Sequence, residues 1–182
     1  MAIRKIVEIG DEKLRKCAKP VEKFDRRLKT LLEDMADTMY KAEGVGLAAP
    51  QVGILRRAVV VDVGEGLTAL VNPEVVSREG EESSPEACLS IPGRSGLVSR
   101  PQKVTLRARD VQGNRVELTA EGFLARALSH ELDHLDGVLY VDIMEKEIFP
   151  EEEMEPSEKE SRGREVPGAE YPEETAPKEE RA

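Results

Sequence analysis

The sequence predicts an α+β domain. Two segments repeat apolar residues at helical spacing, and several short segments are rich in β-branched residues or alternate apolar with polar ones, as strands do. These segments do not follow one another regularly as strand, helix and strand, so we expect strands grouped around two helices instead of a parallel sheet. The chain of 182 residues is long enough for one such domain with a sizeable core.

The first helix is predicted over residues 26–42. Its apolar side chains recur on one face, at Leu28, Leu31, Leu32, Met35 and Met39. Asp25 is placed to cap the N-terminus of this helix, and Gly44 is placed to end it. The following stretch, residues 44–51, holds two glycines and a proline, which predicts a shaped loop.

Strands are predicted at residues 57–63, 68–77, 104–109 and 115–119. Asn72 and Pro73 interrupt the second of these, which favours either an edge position or a bend. The turn at residues 112–114 joins the last two strands into a hairpin. A final short strand is predicted at residues 138–141.

The second helix is predicted to begin between residues 119 and 122 and to end near Gly137. It carries both histidines of the chain, His130 and His134, at positions i and i+4, which share one helix face. Two imidazoles placed in this way can bind one metal ion, and Glu131 between them can reach a water on that metal. The alternative is two exposed histidines beside a solvated carboxylate.

A metal site built on two histidines needs at least one further protein ligand. Four carboxylates follow the histidines, at Asp136, Asp142, Glu145 and Glu147. Of the two cysteines, Cys17 lies in a charged N-terminal segment and Cys88 lies between turn-forming residues. A cysteine taken alone is more often a small buried apolar residue than a ligand, so these patterns leave the third ligand open.

Composition narrows the class of protein. Charged residues make up 35% of the chain and its net charge is −10, of which residues 151–182 contribute 12 acidic and 5 basic side chains. This tail holds almost nothing to bury and is predicted to be disordered. No apolar run is long enough to span a membrane, no secretory signal is recognisable, and two cysteines make no disulfide framework, so a cytoplasmic location is expected. Nothing is basic enough to predict nucleic-acid binding.

Three segments together resemble the signature motifs of peptide deformylases. They are Gly44-Val45-Gly46-Leu47-Ala48-Ala49-Pro50-Gln51, Glu86-Ala87-Cys88-Leu89-Ser90 and His130-Glu131-Leu132-Asp133-His134. Residues 11–15 and 20–25 are similar to the family's N-terminal segment, so that the resemblance covers roughly residues 1–145. It implies a catalytic domain over residues 1–150, in which antiparallel or mixed β-sheets surround a central helix carrying the two histidines.

The resemblance also implies an activity. The expected reaction is hydrolysis of the formyl group from the N-terminal formylmethionine of newly made polypeptides, with release of formate. It implies one divalent metal ion held by Cys88, His130 and His134, with Fe²⁺ expected and Zn²⁺ as the alternative. Nascent N-formylmethionyl peptides are the expected partners, together with transient ribosome contact. Because the tail lacks the basic C-terminal helix of some bacterial relatives, their mode of ribosome docking is not carried over.

The resemblance assigns roles within the site. Glu131 is expected to take the proton of the attacking water and to pass it to the leaving amine. The side-chain amide of Gln51 and the backbone N–H of Leu89 are expected to stabilise the oxyanion. From its position alone, Gln51 could equally be an ordinary loop residue. Glu86 and Arg100 are interpreted as an ion pair that braces the Cys88 segment, or else as surface charges; Asp133 is assigned no catalytic role.

Substrate contacts are predicted around these catalytic residues. Gly44 and Gly46 are expected to let a peptide backbone approach as a strand added to a sheet edge. A pocket for the methionine side chain is predicted from position, lined by Val45, Phe123, Ala127 and the aliphatic stem of Arg126. Ala87 stands where the family usually has glycine, and its methyl group could crowd the substrate backbone.

Two other readings remain open at this level. A zinc endopeptidase could be built on the same helix, but it would need a third ligand other than Cys88 and would leave Gln51 without a role. A non-catalytic site could instead be closed by a fourth protein ligand, for which Cys17 is the remaining cysteine.

Overall fold

The computed structural model describes residues 2–149, and the predicted tail at residues 151–182 lies outside this range. Within it, the helices and strands are α1 (Arg26–Lys41), β1 (Gly46–Ala48), β2 (Ala58–Val61), β3 (Thr68–Glu79), β4 (Glu82–Cys88), β5 (Ile91–Arg100), β6 (Lys103–Arg109), β7 (Arg115–Glu121), α2 (Gly122–Leu135), α3 (Tyr140–Ile143) and β8 (Lys146–Ile148). Two short 3-10 turns span Glu12–Arg15 and Ala49–Val52. None of the described helices has the length and apolar character needed to cross a bilayer.

The strands form two antiparallel sheets. Five strands pair in the order β1-β2-β3-β6-β7, and three pair in the order β4-β5-β8. The predicted α+β class is therefore confirmed. Among the described strands, β1 and β4 each pair along one edge only, and both lie close in sequence to predicted site residues.

Helix α1 matches its prediction to within one residue. The Asp25 carboxylate caps the first turn by accepting hydrogen bonds from two backbone N–H groups. At the other end, Glu43 and not a glycine takes the left-handed conformation, with φ of 55°, and the Gly44 N–H closes the turn on the Met39 carbonyl at 3.0 Å. Gly44 itself does not adopt a positive φ, so its small size serves another purpose.

Strand β2 explains how the helices and the larger sheet pack together. Its four residues are fully buried, and their side chains alternate between two core clusters. Val59 and Val61 pack with the apolar face of α2, whereas Ala58 and Val60 pack with the apolar face of α1. A continuous β-branched run is what a strand covered on both faces requires.

Strand β3 lies between β2 and β6, so the predicted edge position is wrong and the predicted bend is right. The pairing register shifts between Val71 and Glu74, where Asn72 adopts φ of 51°. The Asn72 side chain accepts a hydrogen bond from the Val21 N–H at 2.8 Å and donates one to the Val21 carbonyl at 2.9 Å. This side chain therefore fixes both the bend and the N-terminal segment.

Two other parts of the chain differ from expectation. Strands β4 and β5 form a hairpin that the serine-, proline- and glycine-containing sequence did not indicate, and Cys88 is its last β4 residue. Residues 138–141 are not a strand: α3 begins at Tyr140, and the Asp142 carboxylate caps it by accepting from the Leu139 N–H at 2.8 Å. The final strand, β8, begins at Lys146, eight residues after the predicted start at residue 138, because the Asp142 carboxylate caps a helical turn in between.

We expect Asn72→Ala to lower the free energy of unfolding by about 1–3 kcal/mol, because it removes two hydrogen bonds from partly buried backbone groups. Asn72→Gly loses the same hydrogen bonds, but glycine tolerates the positive φ, which costs other residues roughly 1–2 kcal/mol. The free energy of unfolding should therefore fall less in the glycine variant than in the alanine variant. Urea denaturation of the metal-loaded proteins measures both. A glycine variant less stable than the alanine variant would contradict this account of the bend.

Candidate metal centre and active site

Helix α2 brings three predicted site residues into the interior. His130, Glu131 and His134 are all buried, and the two imidazole centroids lie 5.0 Å apart at an interplanar angle of 75°. The spacing i, i+4 places both rings on one face, as the sequence predicts. The alternative of two exposed histidines is wrong.

Cys88 completes a cluster with these histidines. Its Sγ lies 3.3 Å from His134 Nε2, and one ligand atom from each of Cys88, His130 and His134 lies within 4.8 Å of the others. Sulfur and nitrogen ligands on one tetrahedral metal stand about 3.5 Å apart, given bond lengths of about 2.3 and 2.0 Å. Thiolate and imidazole are also suitable donors for Zn²⁺ and Fe²⁺, so the residues fit a single metal ion.

The other candidate ligands are engaged elsewhere. The four carboxylates downstream of the histidines bind Arg57, Arg15, Ser83 and Arg94, in the pairs Asp136–Arg57, Asp142–Arg15, Glu145–Ser83 and Glu147–Arg94. Cys17 is exposed, and its Sγ lies 3.6 Å from the Asp136 carbonyl. Among residues 2–149, Cys88, His130 and His134 form the one cluster of this kind that could hold a metal ion.

The predicted ion pair of Glu86 and Arg100 is confirmed, and it is buried. Arg100 Nε and Nη2 donate to the two Glu86 oxygens at 2.8 and 2.9 Å, while Arg100 Nη1 donates to Asp133 at 2.5 Å. Glu86 Oε2 also lies 2.9 Å from His130 Nδ1. Although burial raises the pKa of Glu86, the hydrogen bonds from Arg100 and His130 outweigh this and lower it to about 2.

This contact decides which nitrogen of His130 is available. With the carboxylate ionised, Nδ1–H donates to Glu86, so the lone pair of Nε2 is free to bind a metal. Burial lowers the pKa of His134 well below its usual value. Asp133 forms an ion pair with Arg100 on the side away from Glu86 and so helps to hold Arg100 in place. The sequence pattern did not indicate this contact.

Glu131 lies next to the cluster in a tight space. Burial raises the pKa of its carboxyl group to about 7, and its Oε2 has no hydrogen-bond partner among the described residues. A Cβ at position 46 would stand 2.3 Å from Glu131 Oε1, and one at position 44 would stand 2.6 Å from Leu89 Cδ1. Gly44 and Gly46 are thus needed to make room for side chains of the site itself, a reason beyond the predicted approach of a substrate backbone.

Gln51 is buried and lines the same cavity as the ligand cluster. Its Oε1 accepts from the Ala48 N–H at 2.8 Å, which directs Nε2 towards Cys88 Sγ at 3.5 Å and Ser90 Oγ at 3.2 Å. The amide N–H groups therefore face the ligand cluster. Ser90 was missed as a site residue, although it lies in the same sequence motif as Cys88.

One cavity of about 380 Å³ brings the predicted residues together. The site residues that line it are Gly44, Val45, Gly46, Gln51, Ala87, Cys88, Leu89, Phe123, Arg126, Ala127, His130 and Glu131. His134 lies behind it, fully buried. Phe123 and Val45 remain 57% and 39% exposed, so the cavity has an apolar mouth.

A cysteine sulfur and two imidazoles around one position, with a buried carboxylate and a directed amide beside a cavity, are the groups of a metal-dependent hydrolase. The sequence model of the polypeptide deformylase family matches residues 3–148. The chain therefore belongs to this family. The expected family and the expected α+β class are thus confirmed.

The sequence is similar to those of several peptide deformylases over most of their length. The chain is 63% identical over 142 residues to the peptide deformylase of Caldanaerobacter subterraneus subsp. tengcongensis and 61% identical over 142 residues to that of Caldicellulosiruptor bescii, covering 78% of this chain and 89% and 86% of the relatives. Among solved structures, the peptide deformylase from Thermotoga maritima has a TM-score of 0.78 and 44% identity, covering 79% of this chain and 99% of that one. The peptide deformylase from Synechococcus elongatus, solved in complex with actinonin, has a TM-score of 0.77 and 42% identity, covering 79% of each chain.

We expect Gly46→Ala to lower kcat while leaving the metal bound. The added Cβ would displace the Glu131 carboxylate, and positioned proton transfer contributes about 10²–10⁴-fold to rate. Gly44→Ala is the matched variant, because its Cβ meets only the flexible Leu89 side chain, and it should reduce kcat less. Metal content and steady-state kinetics on formyl-methionyl peptide test both; equal kcat values in Gly46→Ala and the wild type would contradict the close packing.

Proposed function

We propose that the cavity binds the N-terminal formylmethionine of a nascent polypeptide and that Cys88, His130 and His134 hold one divalent metal ion there. The activity of the chain, as a member of the polypeptide deformylase family, is removal of the formyl group from such polypeptides. The observation that supports the placement best is the approach of the three ligand atoms to within 4.8 Å of one another beside Glu131 and Gln51. These residues come from three separate motifs that the fold brings to one cavity.

We propose that α2 is the central helix between the two sheets. Its Leu128 and Leu135 belong to the core shared with the five-stranded sheet. Its Arg126 and His130 contact strand β4 of the smaller sheet through Glu86. Contacts on both sides support the arrangement in which the histidine-bearing helix lies at the centre of the catalytic domain, which we assign to residues 1–150.

The metal proposed is Fe²⁺, with Zn²⁺ as the alternative, since one thiolate and two imidazoles suit either ion. When bound, the ion supplies Lewis acidity, polarising the formyl carbonyl and making water nucleophilic near neutral pH. The chain itself orients these ligands. Glu86 fixes the ring of His130 from behind, and the hairpin carries Cys88 to the same point.

Glu131 is proposed to manage the proton. Its carboxylate follows the ligand His130 directly and lies in the cavity, where burial raises its pKa to about 7. It accepts the proton of the attacking water and later delivers it to the methionine amine as the bond between that nitrogen and the formyl carbon breaks. Gly46 leaves space for both carboxylate oxygens on this side of the cavity.

Gln51 and Leu89 are proposed to stabilise the oxyanion. The Gln51 amide is held with its N–H groups towards the ligands by the Ala48 N–H on the opposite side. Leu89 follows Cys88 directly, so its backbone N–H is available at the same edge of the cavity. Fixed donors of this kind stabilise the developing negative charge without reorganising during the reaction.

The peptide backbone is proposed to lie as an added strand along the unpaired edges of β1 and β4, passing Gly44, Gly46 and Ala87. Ala87 is exposed at the cavity, so its methyl group meets the substrate directly. The methionine side chain is proposed to enter the part of the cavity lined by Val45, Phe123, Ala127 and the stem of Arg126. These groups provide the apolar surface that a thioether side chain prefers.

Cytoplasmic location and transient ribosome contact are proposed on the same basis, because the substrate is a chain still being made. The two other readings are less well supported. An endopeptidase leaves unexplained the family match and the position of Cys88 within the cluster. A closed structural site lacks support because Cys17 is exposed and its sulfur contacts the Asp136 carbonyl.

We expect formate to be released from formyl-Met-Ala-Ser and not from its acetylated or unformylated counterparts. Glu131→Gln keeps the size of the side chain but cannot accept the proton, so it should retain metal and lose about 10²–10⁴-fold in kcat. Enzymatic measurement of formate and metal analysis of the same samples give both values. Cleavage between amino-acid residues without formate release would support the endopeptidase instead.

We expect Cys88→Ala to lose its metal, because it removes one of three converging ligands. Cys17→Ser is the matched control and should retain one metal ion per chain. In protein purified without oxygen, we expect that ion to be iron. Metal analysis and thermal unfolding are the measurements. If Cys17→Ser released the metal and unfolded the chain, the closed structural site would be correct.

A further inference from the structure

The metal ligands come from two elements whose relative position must be held closely. His130 and His134 lie on α2, whereas Cys88 ends β4 in the three-stranded sheet. A metal site tolerates displacements of only about 0.5 Å from its productive geometry. Something must therefore fix the helix to the β4–β5 hairpin, and apolar packing alone allows small sliding.

Arg126 makes this connection. It lies one helical turn before His130, on the same face of α2, and only 8% of its surface is exposed. Its guanidinium donates hydrogen bonds to both strands of the hairpin, with acceptors at the Glu82 carbonyl (2.7 Å), the Glu86 carboxylate (2.9 Å), the Val98 carbonyl (3.0 Å) and the Ser84 carbonyl (3.4 Å). The planar guanidinium is the side-chain group that can reach several such acceptors at fixed angles.

Arg126 also completes the environment of Glu86. Arg100 binds the same carboxylate, but it lies on β5 and so belongs to the hairpin that carries Glu86. Arg126 reaches Glu86 Oε1 from the helix, while Glu86 Oε2 contacts His130 Nδ1. The three side chains therefore form a closed path that leaves α2 at Arg126 and returns to it at the ligand His130.

We propose that Arg126 is a positioning residue for the metal centre, which locks α2 to the Cys88 hairpin and, through Glu86, sets the orientation of His130. The inference rests on the proposed ligand set. Arg126 lines the cavity, while its guanidinium is turned into the hairpin. A buried ion pair adds little net stability compared with apolar packing, so its gain lies in geometry.

Arg126→Met tests this in the metal-loaded enzyme, since methionine preserves the apolar stem and removes every donor. Arg107→Met is the matched control, because Arg107 is exposed on the larger sheet and pairs with exposed Glu117. With Co²⁺ as the probe, Arg126→Met should bind the ion about 10- to 100-fold more weakly in chelator competition, as loss of supporting groups behind a ligand usually does. Its visible absorption spectrum should shift and kcat should fall more than KM rises.

A double-mutant cycle separates positioning from general stability. If Arg126 acts through Glu86, then Arg126→Met should cost much less Co²⁺ affinity in a Glu86→Gln background than in the wild type. Additive losses, or an unchanged Co²⁺ spectrum with only a lowered melting temperature, would overturn the proposal. Arg126→Lys, which keeps the charge and the stem but fewer donors, gives the same readouts should the methionine variant not fold. Because Co²⁺ affinity and spectrum need no peptide, they judge this inference separately from the formate assay.

Discussion

The rest of the site depends on the hydrogen bonds of one buried carboxylate, that of Glu86. A buried negative charge is tolerated only when it is paired and hydrogen-bonded, and here Arg100, Arg126 and His130 satisfy both oxygens. Since these partners come from β5 and α2, the requirement to satisfy one charge also fixes the hairpin against the helix. The bonds that stabilise the buried charge thus also hold His130 close to the hairpin that carries Cys88.

Two further side chains of the site, Glu131 and Gln51, are positioned by the close approach of strand β1. Gly46 allows β1 to pass against Glu131, and the Ala48 N–H turns the Gln51 amide inwards. Gly46 and Ala48 belong to β1, the edge strand of the five-stranded sheet. The neighbouring strand, β2, is packed on each face by a helix. The edge strand β1 therefore leaves space for Glu131 and holds the Gln51 amide, which suits a donor that must not reorganise during a reaction.

Much of this could be predicted from sequence because helical periodicity is strong and local. The positions of α1 and α2 and the shared face of His130 and His134 follow from spacing, whereas the three motifs are recognised by their resemblance to a known family. The β4–β5 hairpin could not be predicted, since a proline interrupts each strand and neither has a sustained alternation of apolar and polar residues. Helical spacing likewise places Arg126 on the cavity face but gives no information about which acceptors its guanidinium reaches. The turn of residues 140–143 depends on one Asp142 cap, which competes with a β-favouring sequence.

Strand β1 is only three residues long, and within the described chain one of its edges is unpaired. An open edge is a place where two copies of a protein can join by extending a common sheet, and a long apolar one leads to aggregation. Shortness limits this hazard, since few backbone groups are offered and the chain turns away into the Ala49–Val52 segment at once. An edge this short is a poor template for self-association, while it remains open to the extended peptide proposed to bind there.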